Sequence, residues 1–135
     1  RWRGLGQAYL FLAEAALGQE KTPIAQEAIL KAQTVALHMA DDTLRGASWH
    51  VLGLIAAQLP AHALPLMLAE RPYQPGDCFQ ESLRLLRRAG GNSTATYREQ
   101  IRTLQAWADY EAAHGSAARS DIMRQEAAAL AEELE

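Results

Sequence analysis

The sequence predicts an all-α fold of antiparallel helical hairpins, and three observations carry that prediction. Alanine, the strongest helix former, is abundant, while Gly and Pro collect in a few places. Val occurs only at Val35 and Val51, and no stretch alternates apolar and polar residues as a half-buried strand does. A spaced motif, Trp2-x-x-Leu5-Gly6-x-x-Tyr9, recurs in large part as Trp49-x-x-Leu52-Gly53-x-x-Ala56. At this spacing Trp and Leu share one helical face, and the Gly lets a partner helix approach its backbone closely.

The elements follow in order. A first helix is expected over residues 2–17, with Leu5, Tyr9, Leu12, Ala13 and Ala16 inward and Gly18 as its stop. Thr22-Pro23 reads as an N-cap followed by proline at the first helical position. The second helix then runs to Met39, burying Ala25, Ala28, Ile29, Ala32, Val35 and Ala36. Asp41-Asp42-Thr43 supply a turn and a cap for a third helix over 44–58, which carries the second Trp motif.

Pro60, Pro65, Pro72 and Pro75 make the next stretch an irregular insertion near 60–76, with a short helix expected over 61–70 and a loop over 71–76. Asp77-x-x-Gln80 reads as a capping box for a fourth helix, with Phe79, Leu83 and Leu86 inward, and Gly90-Gly91-Asn92-Ser93 as its stop. Thr96-x-x-Glu99 reads as a second box, opening a long helix that holds Ile101, Leu104, Trp107, Ala108 and Glu111 and ends at Gly115. Ser116 caps a last helix with a narrow stripe of Ile122, Met123, Ala127, Leu130 and Leu134 and an otherwise wet surface.

With 135 residues the chain fits one domain able to bury a core, read as 1–135 and as a fragment of a longer protein. A net charge of −3 gives no general attraction to nucleic acid. The one basic cluster, Arg84, Arg87 and Arg88, is read as a solvated helix face near a C-terminus. No apolar run reaches membrane-spanning length and no signal peptide is visible, so a cytoplasmic setting is expected. Cys78 stands alone and is expected to be a small, buried or half-buried residue of a reducing compartment.

No catalytic, metal or cofactor constellation emerges. His38, His50, His62 and His114 offer no pair at one-turn spacing, so they are read as surface or interhelical residues. Ser48, Ser82 and Cys78 have no base placed by a local motif.

The Trp-Leu-Gly motif resembles the opening of the first helix in a tetratricopeptide repeat. Residues 80–86 and 104–111 are similar to the C-terminal arrays of this family in large bacterial signalling ATPases and regulators. The resemblance implies about three hairpins stacked as a right-handed α-solenoid. It implies a concave groove that receives a protein or peptide partner, or another domain of the parent protein. Carried over onto this chain, the groove positions are Arg3, Gln7, Leu10, His50, Leu54, Arg102, Gln105 and Asp109. They lack the Asn and Lys of arrays that clamp a C-terminal carboxylate, which disfavours chaperone-tail binding. The expected function is a non-catalytic interaction scaffold. The alternative is an oligomerisation module that pairs with a second copy through its N-terminal repeat face.

Overall fold

The computed structural model describes residues 2–90 and 93–135, with side chains from Gly4 onward. The described residues form six helices: α1 Trp2–Gly18, α2 Thr22–Met39, α3 Asp42–Gln58, α4 Pro75–Gly90, α5 Thr94–His114 and α6 Ala117–Glu133. Between α3 and α4 lie a short 3-10 turn, Ala61–Ala63, and two strands, β1 Leu66–Leu68 and β2 Arg71–Tyr73. The all-α prediction holds. The most extensive packing joins α1 to α2, α3 to α4 and α5 to α6, so the helices form three successive hairpins. The first helices of neighbouring hairpins also touch, α1 against α3 and α3 against α5.

The periodic reading is fully met in α2, where Ala25, Ala28, Ile29, Ala32, Val35 and Ala36 are all buried. In α1 it needs correction: Leu10, Ala13, Ala16 and Leu17 are buried, whereas Leu5 and Leu12 face outward and Tyr9 is half-buried. In α6, Met123 and Ala127 are buried but Ile122 is exposed. The Trp2 side chain of the first motif and Gly91-Asn92 of the expected helix stop lie outside what is described.

Helix starts shift for identifiable reasons. Asp41 caps α3 as expected, its carboxylate accepting from the Leu44 N–H at 3.0 Å, and Ser116 caps α6 by accepting from the Arg119 N–H at 3.2 Å. Thr22 is not a cap; Lys21 precedes α2 without a side-chain bond, and Pro23 sits in the first turn. Asp77 lies inside α4, which starts at Pro75, and its carboxylate reaches back to accept from the Gln74 N–H at 2.8 Å. That is the return half of a capping box, displaced three residues upstream. Thr96 is likewise buried within the first turn of α5, with Ser93 ahead of the helix.

The insertion is the main departure. The helix expected over 61–70 and the loop over 71–76 are replaced by the 3-10 turn and an antiparallel hairpin that pairs Leu66 with Tyr73 and Leu68 with Arg71. Leu64, ahead of Pro65, is extended (φ −104°, ψ 153°), which stops any helix there. From Leu66 the side chains alternate: Leu66 buried, Met67 exposed, Leu68 partly buried. Tyr73 lies against Trp49 with ring centroids 4.8 Å apart, which fastens the hairpin to α3.

The two-residue turn places Ala69 and Glu70 at φ 50° and 64°, the left-handed pair of a type I′ turn. Neither residue relieves the strain of that region, which costs about 1 kcal/mol or more each. Replacing them with Asn-Gly is therefore expected to raise stability by about 1–2 kcal/mol, read as an upward shift in urea midpoint. An unchanged or lower midpoint would contradict the strained turn.

Candidate interaction surface

The face shared by α1, α3 and α5 is where the groove residues were expected, and the structure divides them. Gln7 and Leu54 are half-buried on it, while Arg102, Gln105 and Asp109 are exposed. Leu10 and His50 are corrected. Leu10 is buried in the core, and His50 is 3% exposed beneath the surface, so neither lines a groove. Arg3 lies outside the described side chains.

Arg102 is the organising charge. From α5 it donates to Glu14 of α1 at 2.9 Å and to Glu99, one turn earlier on its own helix, at 3.1 Å. A link between the first and third hairpins thus spans α3. Burial pushes the Glu99 carboxyl above its ordinary range, Arg102 pulls it down, and the Glu14 charge adds to the rise. One Glu99 oxygen, Oε2, is buried without a hydrogen-bond partner. Further along α5, Asp109 is paired with Arg124 of α6 at 2.9 Å.

Beneath this face a polar relay crosses three helices. His50 Nδ1 of α3 lies 3.0 Å from Thr103 Oγ1 of α5, which lies 3.1 Å from Ser82 Oγ of α4. Ser82 Oγ donates to the Gly46 carbonyl at 2.6 Å. The proton count decides the direction. Ser82 spends its proton on Gly46, so it accepts from Thr103; Thr103 has then spent its own and accepts from His50 Nδ1–H. His50 is therefore the neutral Nδ1–H tautomer, and burial, with help from Arg102, pushes its pKa down to about 4. Sequence reasoning missed this relay because its members lie 21 to 53 residues apart and share no local spacing.

Cys78 is buried and the arginine cluster is exposed, as the sequence reading expected. Cys78 is fully buried and its thiol is pushed up to about 12, chiefly by burial and then by Asp77. That is the opposite of an activated nucleophile. The basic cluster is neutralised residue by residue: Arg84 on Glu81, Arg87 on Glu126, and Arg88 on Asp42. Among the described residues no group of three or more His, Cys, Asp or Glu side chains is placed to hold a metal ion. No described helix is long and apolar enough to cross a membrane.

Set against family models, curated proteins and solved structures, the chain matches none.

Proposed function

We propose that the chain is a non-catalytic, tetratricopeptide-like interaction scaffold of the cytoplasm, of the kind found in bacterial signalling proteins. Its partner is a protein or peptide segment, or a neighbouring domain, laid across the face of α1, α3 and α5. The observation that supports this reading is the side-by-side contact of those three first helices, α1 against α3 and α3 against α5, with Gln7 and Leu54 half-buried and Arg102 and Gln105 exposed. The Trp-Leu-Gly recurrence supports it. Gly6 admits Leu44 of the next hairpin, and Gly53 admits Phe79 of its own hairpin, so each glycine serves a helix–helix contact. The buried, unactivated state of Cys78 and the enclosure of Ser82 and His50 agree with a binding role.

A photo-crosslinking residue at Gln105 is expected to give a discrete adduct in extract of the source cells, competed by unlabelled chain. The same residue at Asp121 of α6 should give none. Equal labelling at both positions, or none at either, counts against this face as the binding surface.

A further inference from the structure

We propose that α1 pairs with α1 of a second copy of this chain, antiparallel, through Leu5, Ala8, Leu12 and Ala15. This face is distinct from the one across α1, α3 and α5, and the inference stands independently of that reading.

The four residues recur at intervals of three, four and three, the a and d positions of a heptad, and all four are exposed. The solvent-facing side of a packed helix normally carries polar residues. Instead Leu5 is 41% exposed, Leu12 is 50% and the flanking Phe11 is 66%. Together with the two alanines this leaves on the order of 400 Å² of apolar surface, within the range of the largest patch on a monomer, which is often a functional one.

A second copy fits this surface on two grounds. The first is charge. From Gly4 to Gly18 the only charged residue is Glu14, and it is engaged by Arg102. Two copies therefore meet without like-charge repulsion, whereas a charged partner finds no counter-charge.

The second ground is size. In an antiparallel pair about an axis near position 10, Leu5 lies opposite Ala15 of the other copy, and Ala8 lies opposite Leu12. Every large side chain then faces a small one, so the stripe is its own complement. Phe11, on the flank, falls next to its own symmetry mate. A parallel pair would instead place leucine on leucine and alanine on alanine, leaving gaps at the alanine layers.

Sedimentation velocity on the full 135-residue chain over a range of concentrations tests this. A monomer–dimer equilibrium is expected. Leu12→Glu should weaken it by about 100-fold or more, because each copy would have to bury an unpaired carboxylate. Helical content should remain unchanged, since Leu12 is half-exposed. A strict monomer at the highest attainable concentration overturns the proposal, as does self-association that Leu12→Glu leaves intact.

Register is tested separately, and this second measurement decides the matter if Leu12→Glu fails to fold. Leu5→Cys chains mixed with Ala15→Cys chains should oxidise to a mixed disulfide in preference to either self-pair. Cys78, being fully buried, stays out of the reaction. Preferential Leu5→Cys self-pairing would instead show a parallel arrangement or another occupant of the face, and would overturn the antiparallel seam.

Discussion

Phe79→Ala is expected to cost about 3–5 kcal/mol, a large share of the stability of a domain this size. Phe79 is fully buried at the junction of three helices. It lies over Gly53 of α3, stands edge-on to His50 at 6.2 Å between centroids, and stacks on Trp107 of α5 at 6.5 Å. The informative measurement is the pair with Gly53. A Cβ at position 53 would sit 2.5 Å from the fully buried Phe79 ring. Gly53→Ala should therefore destabilise the native chain by about 1–3 kcal/mol through overpacking. With Phe79→Ala in place the clash is gone, and the better helix propensity of Ala should make the same change stabilising by about 0.5–1 kcal/mol. A reversal of sign across this double-mutant cycle, measured by urea unfolding, is the expected result. A Gly53→Ala change that is neutral in both backgrounds would mean the glycine is not there to admit the ring.

The sequence made some of this legible and hid the rest for physical reasons. The buried face of α2 could be read residue by residue because a 3.6-residue period over eighteen positions admits one orientation. Phe79, Leu83 and Leu86 were readable in α4 on the same ground, and all three are buried. Leu5 and Leu12 were misassigned because an apolar residue on a helix is taken as inward, and periodicity does not say which neighbours a helix has. The 64–73 segment failed differently. A short apolar run between prolines suits a helix turn or a strand equally; Leu64 ahead of Pro65 is extended, and Tyr73 lies against Trp49.

The candidate surface was legible only in outline. Arg102, Gln105 and Asp109, read from the motif as groove positions, are exposed. Motif arithmetic could not foresee that Thr103 would lie under His50, because α4 and α5 take their places only after the insertion. Buried polar partners that meet across fifty residues leave no local trace.

His50 should make the protein acid-sensitive in a defined window. Its pKa falls from 6.5 to about 4 on folding because burial disfavours the imidazolium, with the Arg102 charge adding to the effect. Between those values the unfolded chain holds the proton and the folded chain does not, so stability falls as pH falls. The stabilisation is complete above pH 6.5. Roughly 2–3 kcal/mol is expected to be lost by pH 4.5.

Other groups do not mimic this. Glu99 has a raised pKa, so its contribution grows on acidification and works against the His50 loss. The lowered carboxyls, Asp42 held by its hydrogen bond to Arg88 and Glu81 by its bond to Arg84, matter mainly below their ordinary values of 3.8 and 4.5. His50→Gln keeps an N–H donor for Thr103 but cannot titrate. It should start less stable at pH 7 and then lose markedly less between pH 7 and 4.5 than the native chain. Thr103→Val tests the relay itself, because it strands the His50 Nδ1–H and removes the donor to Ser82, at a cost of about 1–3 kcal/mol at pH 7. Urea unfolding at pH 7, 5.5 and 4.5 on the three chains separates the two contributions. If His50→Gln declines with pH as steeply as the native chain, His50 is not the group that carries the acid sensitivity.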